Sequence, residues 1–414
     1  MTHPLATHAP LSTPPPPSHA NRWAPLGIAT LLLLLGAFHL LDTVGLPQSL
    51  LWGVGALLGI TLTHASFGFT HAWRVFIADR QAAGIRAQML MLAFGVLLFF
   101  PVLDAGEFAG HAVRGLTAPL GTSIVVGAFI FGIGMQLGGG CASGTLYTVG
   151  GGSVRMLVTL FFFVLGSVWA TADFDWWMAL PSLPPVQLLK AWGLAPALLL
   201  NLAVFAFIAW GATRLERRRH GGQLASSASR TAPGTTPSIW RGPWPLLWGG
   251  LALVLLNFAT LWLSGRPWGI TSAFALWGAK GLLAMGVDVA SWGYWATRLD
   301  SLHAPLTQDV TSVMDIGIVL GALLAASLSG KLAWHWRIPL RSLLAAVVGG
   351  LMLGYGARLA FGCNIGAYFS GILSGSLHAW LWLPAAYAGN ALGVRLRPWF
   401  GLAVERLTPN ARGC

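Results

Sequence analysis

Gly127–Cys141 reads GAFIFGIGMQLGGGC, and Gly349–Cys363 reads GGLMLGYGARLAFGC. The two stretches lie 222 residues apart and share a spacing: Gly127 answers Gly349, Gly132 answers Gly354, Gly134 answers Gly356, Leu137 answers Leu359 and Gly140 answers Gly362. Both end on a cysteine, and Gly144 then answers Gly366. With 53 glycines in 414 residues a single match carries little, but the shared run ending on Cys141 and Cys363 reads as an internal repeat. Each stretch is an apolar run of helical length closed by glycine. Gly138 to Gly140 oppose a continuous helix, since each glycine costs about 1 kcal/mol against alanine. The next segments, 141–150 and 363–373, are far shorter than the roughly 20 residues that cross a bilayer. They read as half-helices dipping into a membrane.

Composition sets the class. The chain is 55% hydrophobic and 9% charged, where a soluble domain carries about 25% charged residues. Apolar residues fall in blocks at 24–41, 48–66, 87–102, 119–138, 154–172, 194–213, 244–263, 268–286, 311–329, 340–360 and 379–396. The expected fold is an all-α integral membrane protein with nine to eleven transmembrane helices and short re-entrant half-helices. Its 21 tryptophans suit bilayer interfaces. The formal charge of +12 is nearly all arginine. It reads as cytoplasmic-loop charge obeying the positive-inside rule, so nucleic acid is not an expected partner and the lipid bilayer is.

The domain reading rests on the same pattern. Residues 1–23, with the run Pro14 to Pro17, read as a disordered tail. Residues 24–213 form the first membrane repeat, and its opening block, Leu26–Leu41, is a first span or signal anchor. Residues 214–242, with Arg214, Arg217, Arg218, Arg219, Arg230 and Arg241 among Gly, Ser, Thr and Pro, read as a flexible basic linker on the cytoplasmic side. Residues 243–400 form the second repeat and 401–414 a tail. A weaker echo of the repeat is GIT at Gly59–Thr61 and at Gly269–Thr271. Arginines place loop 74–86 inside, and Asp104 and Glu107 place loop 103–117 outside. Lys331, Arg337 and Arg341 place loop 330–341 inside. The run ending at Cys141 then travels inward and the run ending at Cys363 outward, the signature of inverted-topology repeats. If the basic linker is inside, segment 244–286 must contain a re-entrant or broken helix to leave 287–309 outside.

A half-helix starting at each cysteine would aim free N–H groups at a common cavity, from opposite directions, and so attract an anion. Candidate substrate-binding residues are Cys141, Cys363, Gly140, Gly362, Ser143, Asn364, Arg358 and Lys280. Arg358 stands where the first repeat has Gln136. Lys280 lies inside an apolar block, where an ionisable group is a functional candidate by default; pairing with Asp288 is its alternative use. Thr145, Tyr147 and Ser370 could donate to a ligand. His64 and His71 read as structural or interfacial, and Cys414 has no assigned role. The chain has no GxxxxGK[ST] phosphate loop, CxxCH haem site or HExxH zinc site, so no cofactor or metal is expected.

At GGGCASGTLYTVGGG around Cys141, FGCNIGAYFSGILSGSLHAW around Cys363 and GRPWGITSAFALWGAK at Gly265–Lys280, the chain resembles the YeeE/YedE family of bacterial inner-membrane proteins. The resemblance implies a multi-pass inner-membrane transporter for thiosulfate or a related sulfur anion, passed along by weak S–H hydrogen bonds from central cysteines, here Cys141 and Cys363. The family's further central thiol has no counterpart in this chain, whose GITSAF segment holds Ser272 and Ala273. Selenium compounds are an alternative cargo, and a cytoplasmic sulfur-acceptor protein is a possible partner. A membrane sulfurtransferase forming a cysteine persulfide is the alternative chemistry. It would need an activated thiolate, and no His or Lys neighbours either cysteine in the sequence.

Overall fold

The computed structural model describes residues 23–222, 238–334 and 336–405. The expected tail 1–23 lies almost wholly outside them, as do Arg230, most of the expected linker and Cys414. Eighteen α-helices carry the described chain. In the first half they are α1 (Trp23–Thr43), α2 (Leu46–Ala65), α3 (Phe69–Asp79), α4 (Ala83–Ala105), α5 (Thr122–Gly138), α6 (Ala142–Gly150), α7 (Val154–Ala172) and the single turns α8 (Phe174–Met178) and α9 (Leu188–Trp192). Then come α10 (Leu194–Arg219), α11 (Leu246–Ser264), α12 (Thr271–Ala284), the short α13 (Gly293–Ala296) and α14 (Leu299–His303), α15 (Val310–Ser329), α16 (Leu340–Leu359), α17 (Gly371–Leu373) and α18 (Leu377–Leu396). Between Cys363 and α17 the chain makes a π-helical turn, Asn364–Ser370. Among the described residues the only sheet consists of two-residue pairings in outer loops. Nine helical segments there are long and apolar enough to cross a membrane.

All eleven apolar blocks fall on helices, and of the helices outside them the longest is α3. The expected loop 74–86 is mostly α3 and the start of α4, parted only by Arg80–Ala82. Helix α3 presents Phe69, Trp73 and Phe76 to the core while Arg74 sits on the same short segment, so its charge masked its periodicity. Helix α10 also runs on to Arg219, because its buried Glu216 is bound to Arg86 and accepts from the Ala82 N–H at 2.9 Å. Segment 244–286 is a full helix, a break at 265–270 and a 14-residue helix, the broken arrangement that loop charges call for. The GIT echo does not mark equivalent places. Gly59–Thr61 lies within α2, whereas Gly269–Thr271 enters α12.

Glycine sets the core packing. Helices α5 and α16 cross antiparallel, Gly127 against Gly356 and Ala360, Gly134 against Gly349 and Leu353. A Cβ on Gly134 would stand 2.8 Å from the Leu353 backbone nitrogen and one on Gly356 2.6 Å from that of Phe131; contacts this close hold membrane helices through van der Waals packing and cannot admit a methyl. Helices α2 and α15 also pack closely through glycine, but parallel, Gly55 against Met314 and Gly59 against Ile318. Helix α5 also lies along α18, and α16 along α7; α1 covers α15 and α10 covers α4. The outward faces of α1 and α10, with Leu31, Leu34, Phe38, Leu199 and Phe207, are exposed apolar surface suited to lipid. Gly138, which ends α5, packs on Gly349 in the middle of α16. The break before Cys141 therefore falls at mid-height of the neighbouring helix.

Candidate functional site

Both breaks are built alike. Helix α5 closes on Gly139, left-handed at φ 96°, whose N–H donates to the Met135 carbonyl. Helix α16 closes through Gly362, at φ 149°, whose N–H donates to Ala357 O at 2.8 Å. Only glycine holds these backbone angles without strain. Each cysteine is then the N-cap of the next helical segment, Cys141 of α6 and Cys363 of the π turn. The Cys141 carbonyl accepts from the Thr145 N–H at 2.8 Å and from its hydroxyl at 2.9 Å. The Cys363 carbonyl accepts from Ala367 and Tyr368 N–H at 2.9 and 3.3 Å, the doubled pattern of a π turn, which is frequent at functional sites. The Cys141 sulfur lies 3.4 Å from the Ser143 hydroxyl, and the Cys363 sulfur accepts from the Ile365 N–H at 3.4 Å. Both cysteines are free and buried. The π turn touches α6, and both cysteines belong to one core cluster. Behind the turn, Tyr368 stacks on Trp382 at 6.0 Å, backed by Trp73.

Two cavities approach these breaks. One, of about 440 Å³, is lined by Thr70, His71, Arg74, Gly139, Gly140, Cys141, Gly144 and Tyr147. The other, of about 150 Å³, is lined by Arg266, Ser272, Thr311, Met314, Arg358, Gly362 and Gly366. They open at opposite ends of α11. Its start is tied to the end of α2 by the Trp244 N–H on His64 O at 2.9 Å, beside the first cavity, and its end, Thr260 and Ser264, lines the second. Under the orientation expected from loop charge, the first cavity is called inner and the second outer. The outer mouth is basic, whereas the arginine of the inner one is ion-paired. Arg266 and Arg358 line the outer one, with the Arg358 guanidinium bonded to the Tyr294 hydroxyl and lying over its ring. At the inner one, Arg74 donates to both Glu405 oxygens at 2.7 and 2.8 Å; this holds the Glu405 carboxyl down to about 2. A second inner cavity, about 370 Å³, shares Tyr147 and Thr148 and adds Arg155, Lys331 and Arg337. There Arg155 caps α5 through the Leu137 and Gly138 carbonyls at 2.6 and 2.7 Å.

Several buried polar atoms near the breaks have no hydrogen-bond partner among the described residues: both amide atoms of Asn364, the Trp268 indole nitrogen and both carboxyl oxygens of Asp315. Such groups each carry a desolvation cost of about 1–3 kcal/mol. Protein interiors rarely tolerate this without a ligand, water or functional role.

The structure thus gathers most of the candidates. Gly140 and Cys141 line the inner cavity, Gly362 and Arg358 the outer one, and Ser143 and Asn364 adjoin the two sulfurs. Lys280 lies apart. Its ammonium donates to the Leu302 and Ala304 carbonyls, each at 2.6 Å. It thus closes the end of α14 instead of pairing with Asp288 or facing a cysteine. Ser370 is engaged too, donating to Trp268 O at 2.7 Å and accepting from the Asn257 amide at 3.1 Å. His64 packs on Trp244, as expected for a structural role, whereas His71 lines the inner cavity. Sequence reasoning missed Arg266, Thr70, Trp268 and Asp315. Asp315 was findable: it is an ionisable residue within the apolar block 311–329, the same signal that selected Lys280.

The sequence pattern of a family described as sulphur transport matches residues 64–392. The thiosulfate transporter TsuA of Spirochaeta thermophila is 28% identical over 357 residues, covering 79% of this chain and 92% of its own length. The thiosulfate transporter TsuA of Escherichia coli is 24% identical over 364 residues, 83% of this chain and 92% of that one. The probable transporter YedE of E. coli is 33% identical over 158 residues, 37% and 39% of the two chains.

Proposed function

We propose that this chain, which belongs to the sulphur transport family, is a permease, not an enzyme, that carries thiosulfate or a related small sulfur anion inward across the bacterial inner membrane past Cys141 and Cys363. The observation that carries the reading is the approach of two cavities, one of them lined by Arg266 and Arg358, from opposite ends of α11 to the two glycine–cysteine breaks. Chemistry supports it. Thiosulfate is a dianion with a soft terminal sulfur. Arginines and free backbone N–H groups suit its charge, and thiols are weak, polarisable partners for its sulfur. Weak partners favour passage, because a conducted ion must leave as readily as it enters. The antiparallel crossing of α5 and α16, which carry the matching motifs, supports inverted repeats around the path. On the inner side, the recess with Lys331 and Arg337 suits an acidic sulfur-acceptor protein.

The test is uptake of labelled thiosulfate by cells lacking other sulfur-uptake systems. Cys141→Ala and Cys363→Ala should each abolish it at normal membrane expression. Uptake that persists in both removes the thiols from the path. A persulfide on either cysteine, detected by mass spectrometry without uptake, would turn the reading to a sulfurtransferase.

A further inference from the structure

Helix α15 carries the one buried acid left unpartnered among the described residues. Asp79, Glu216 and Asp315 are the buried carboxylates there. Asp79 receives Gln81 at 3.1 Å and Glu216 receives Arg86 and the Ala82 N–H. Asp315 is 0% exposed, and neither of its oxygens has a hydrogen-bond partner. An ionised carboxylate cannot be held this way at membrane depth, so in this state the group carries its proton. Its neighbours on the helix line the outer cavity. Asp315 lies one helical turn below Thr311 on α15, and Thr311 and Met314 line the outer cavity with Arg358 and Gly362.

The charged and titratable groups around it are few. On its own helix, Asp309 is the N-cap. From the break before α12 comes Arg266, bonded to Thr311 at 3.4 Å, while Lys280 on α12 is turned to the α14 carbonyls. Helix α6 brings Tyr147, α1 has His39 and Asp42 at its end, and α2 has only His64. No fixed cation therefore neutralises Asp315 from the packed helices.

We propose that Asp315 is the coupling site for proton-driven uptake, taking a proton from the outer cavity and releasing it inward with each transported anion. The inference rests on the transporter reading above. An inside-negative membrane opposes the entry of a dianion, and an acid beside the path that cycles between neutral and ionised offsets that opposition. The proton moves onto a carboxylate oxygen and off again, and no other bond changes. A metal cation would need several oxygen ligands around the same group, whereas a proton needs only the carboxylate.

The test uses the full chain in proteoliposomes with the membrane potential clamped at zero and a pH dye inside. Wild type should accumulate thiosulfate about tenfold per pH unit of inward gradient for each coupled proton, and an inward thiosulfate gradient should acidify the lumen. Asp315→Asn, which copies the protonated acid, should keep thiosulfate–thiosulfate exchange within about threefold of wild type and lose both proton-linked readouts. Asp315→Glu should restore them. Accumulation and acidification that survive in Asp315→Asn overturn the proposal. So does wild-type accumulation that follows a sodium gradient, or loss of exchange in Asp315→Asn. Thiosulfate that enters wild type without moving protons overturns this inference alone, and no entry at all overturns the transporter reading with it.

Discussion

Replacing Asn364 with leucine should make the protein more stable and less able to bind its substrate. Asn364 follows Cys363 at the start of the π turn, is 0% exposed and has neither amide atom paired. Leucine is of similar size and removes both polar atoms, relieving a cost of about 1–3 kcal/mol. If the amide donates to an anion, its loss removes a charge-assisted bond of about 1.5–3 kcal/mol, or roughly 10- to 150-fold in Kd. Thermal unfolding of the purified protein in detergent, with and without thiosulfate, reads both effects. The variant should melt higher than wild type without thiosulfate and gain less when it is added. Asn364→Ala separates volume from polarity, since it lacks the amide but leaves a cavity and should melt below the leucine variant. A leucine variant that melts lower, with an undiminished thiosulfate shift, would refute the reasoning. The amide would then be satisfied in the folded protein and irrelevant to binding.

Arg358→Gln should raise KM for uptake with little change in the maximal rate, and should flatten the salt dependence of uptake, because its charge stands at the outer mouth. Lys280→Met should destabilise the fold by about 1–3 kcal/mol through two orphaned carbonyls, yet leave thiosulfate affinity unchanged in a binding assay. Gly356→Ala puts a methyl 2.5 Å from Gly127 O and 2.6 Å from Phe131 N; overpacking of this kind costs about 1–3 kcal/mol and should show in the same melts. The Arg74–Glu405 pair holds the folded carboxyl at about 2 against an ordinary 4.5. Its stabilising share is therefore whole above pH 4.5 and fades as pH falls through about 2. Hydrogen exchange near 401–405 should rise over that window in wild type but not in Glu405→Gln.

The sequence carries the membrane architecture openly, since every apolar block long enough to matter became a helix. What it hides has identifiable causes. Helix α3 was lost because Arg74 and His71 look like loop residues until Glu405, more than 300 positions away, supplies the partner that buries Arg74. Lys280 looked like a pore residue because its carbonyl partners lie in short helices with no apolar signal of their own. Arg266 could not be weighed until the break at 265–270 placed it beside Thr311. The cysteine breaks were legible because three constraints coincide there: glycines that end a helix, a residue that starts the next, and a spacing repeated in the other half.

The reciprocal packing has a consequence for how the path could open. Helix α1 covers α15 and α10 covers α4, while α5 lies on α18 and α16 on α7. Each contact has its counterpart if the second unit begins at α10, ahead of the basic linker, so that each unit lends its first helix to the other. Helices interlocked in this way cannot separate without breaking the close glycine contacts between them. Wide rocking is therefore costly, and the two breaks themselves are the cheaper moving parts. They are held by short backbone bonds at Gly139 and Gly362 and by weak sulfur contacts at 3.4 Å. Under the proposed function, a small dianion would need only such a local parting beside the two buried thiols, through a narrow passage and not a large alternating cavity.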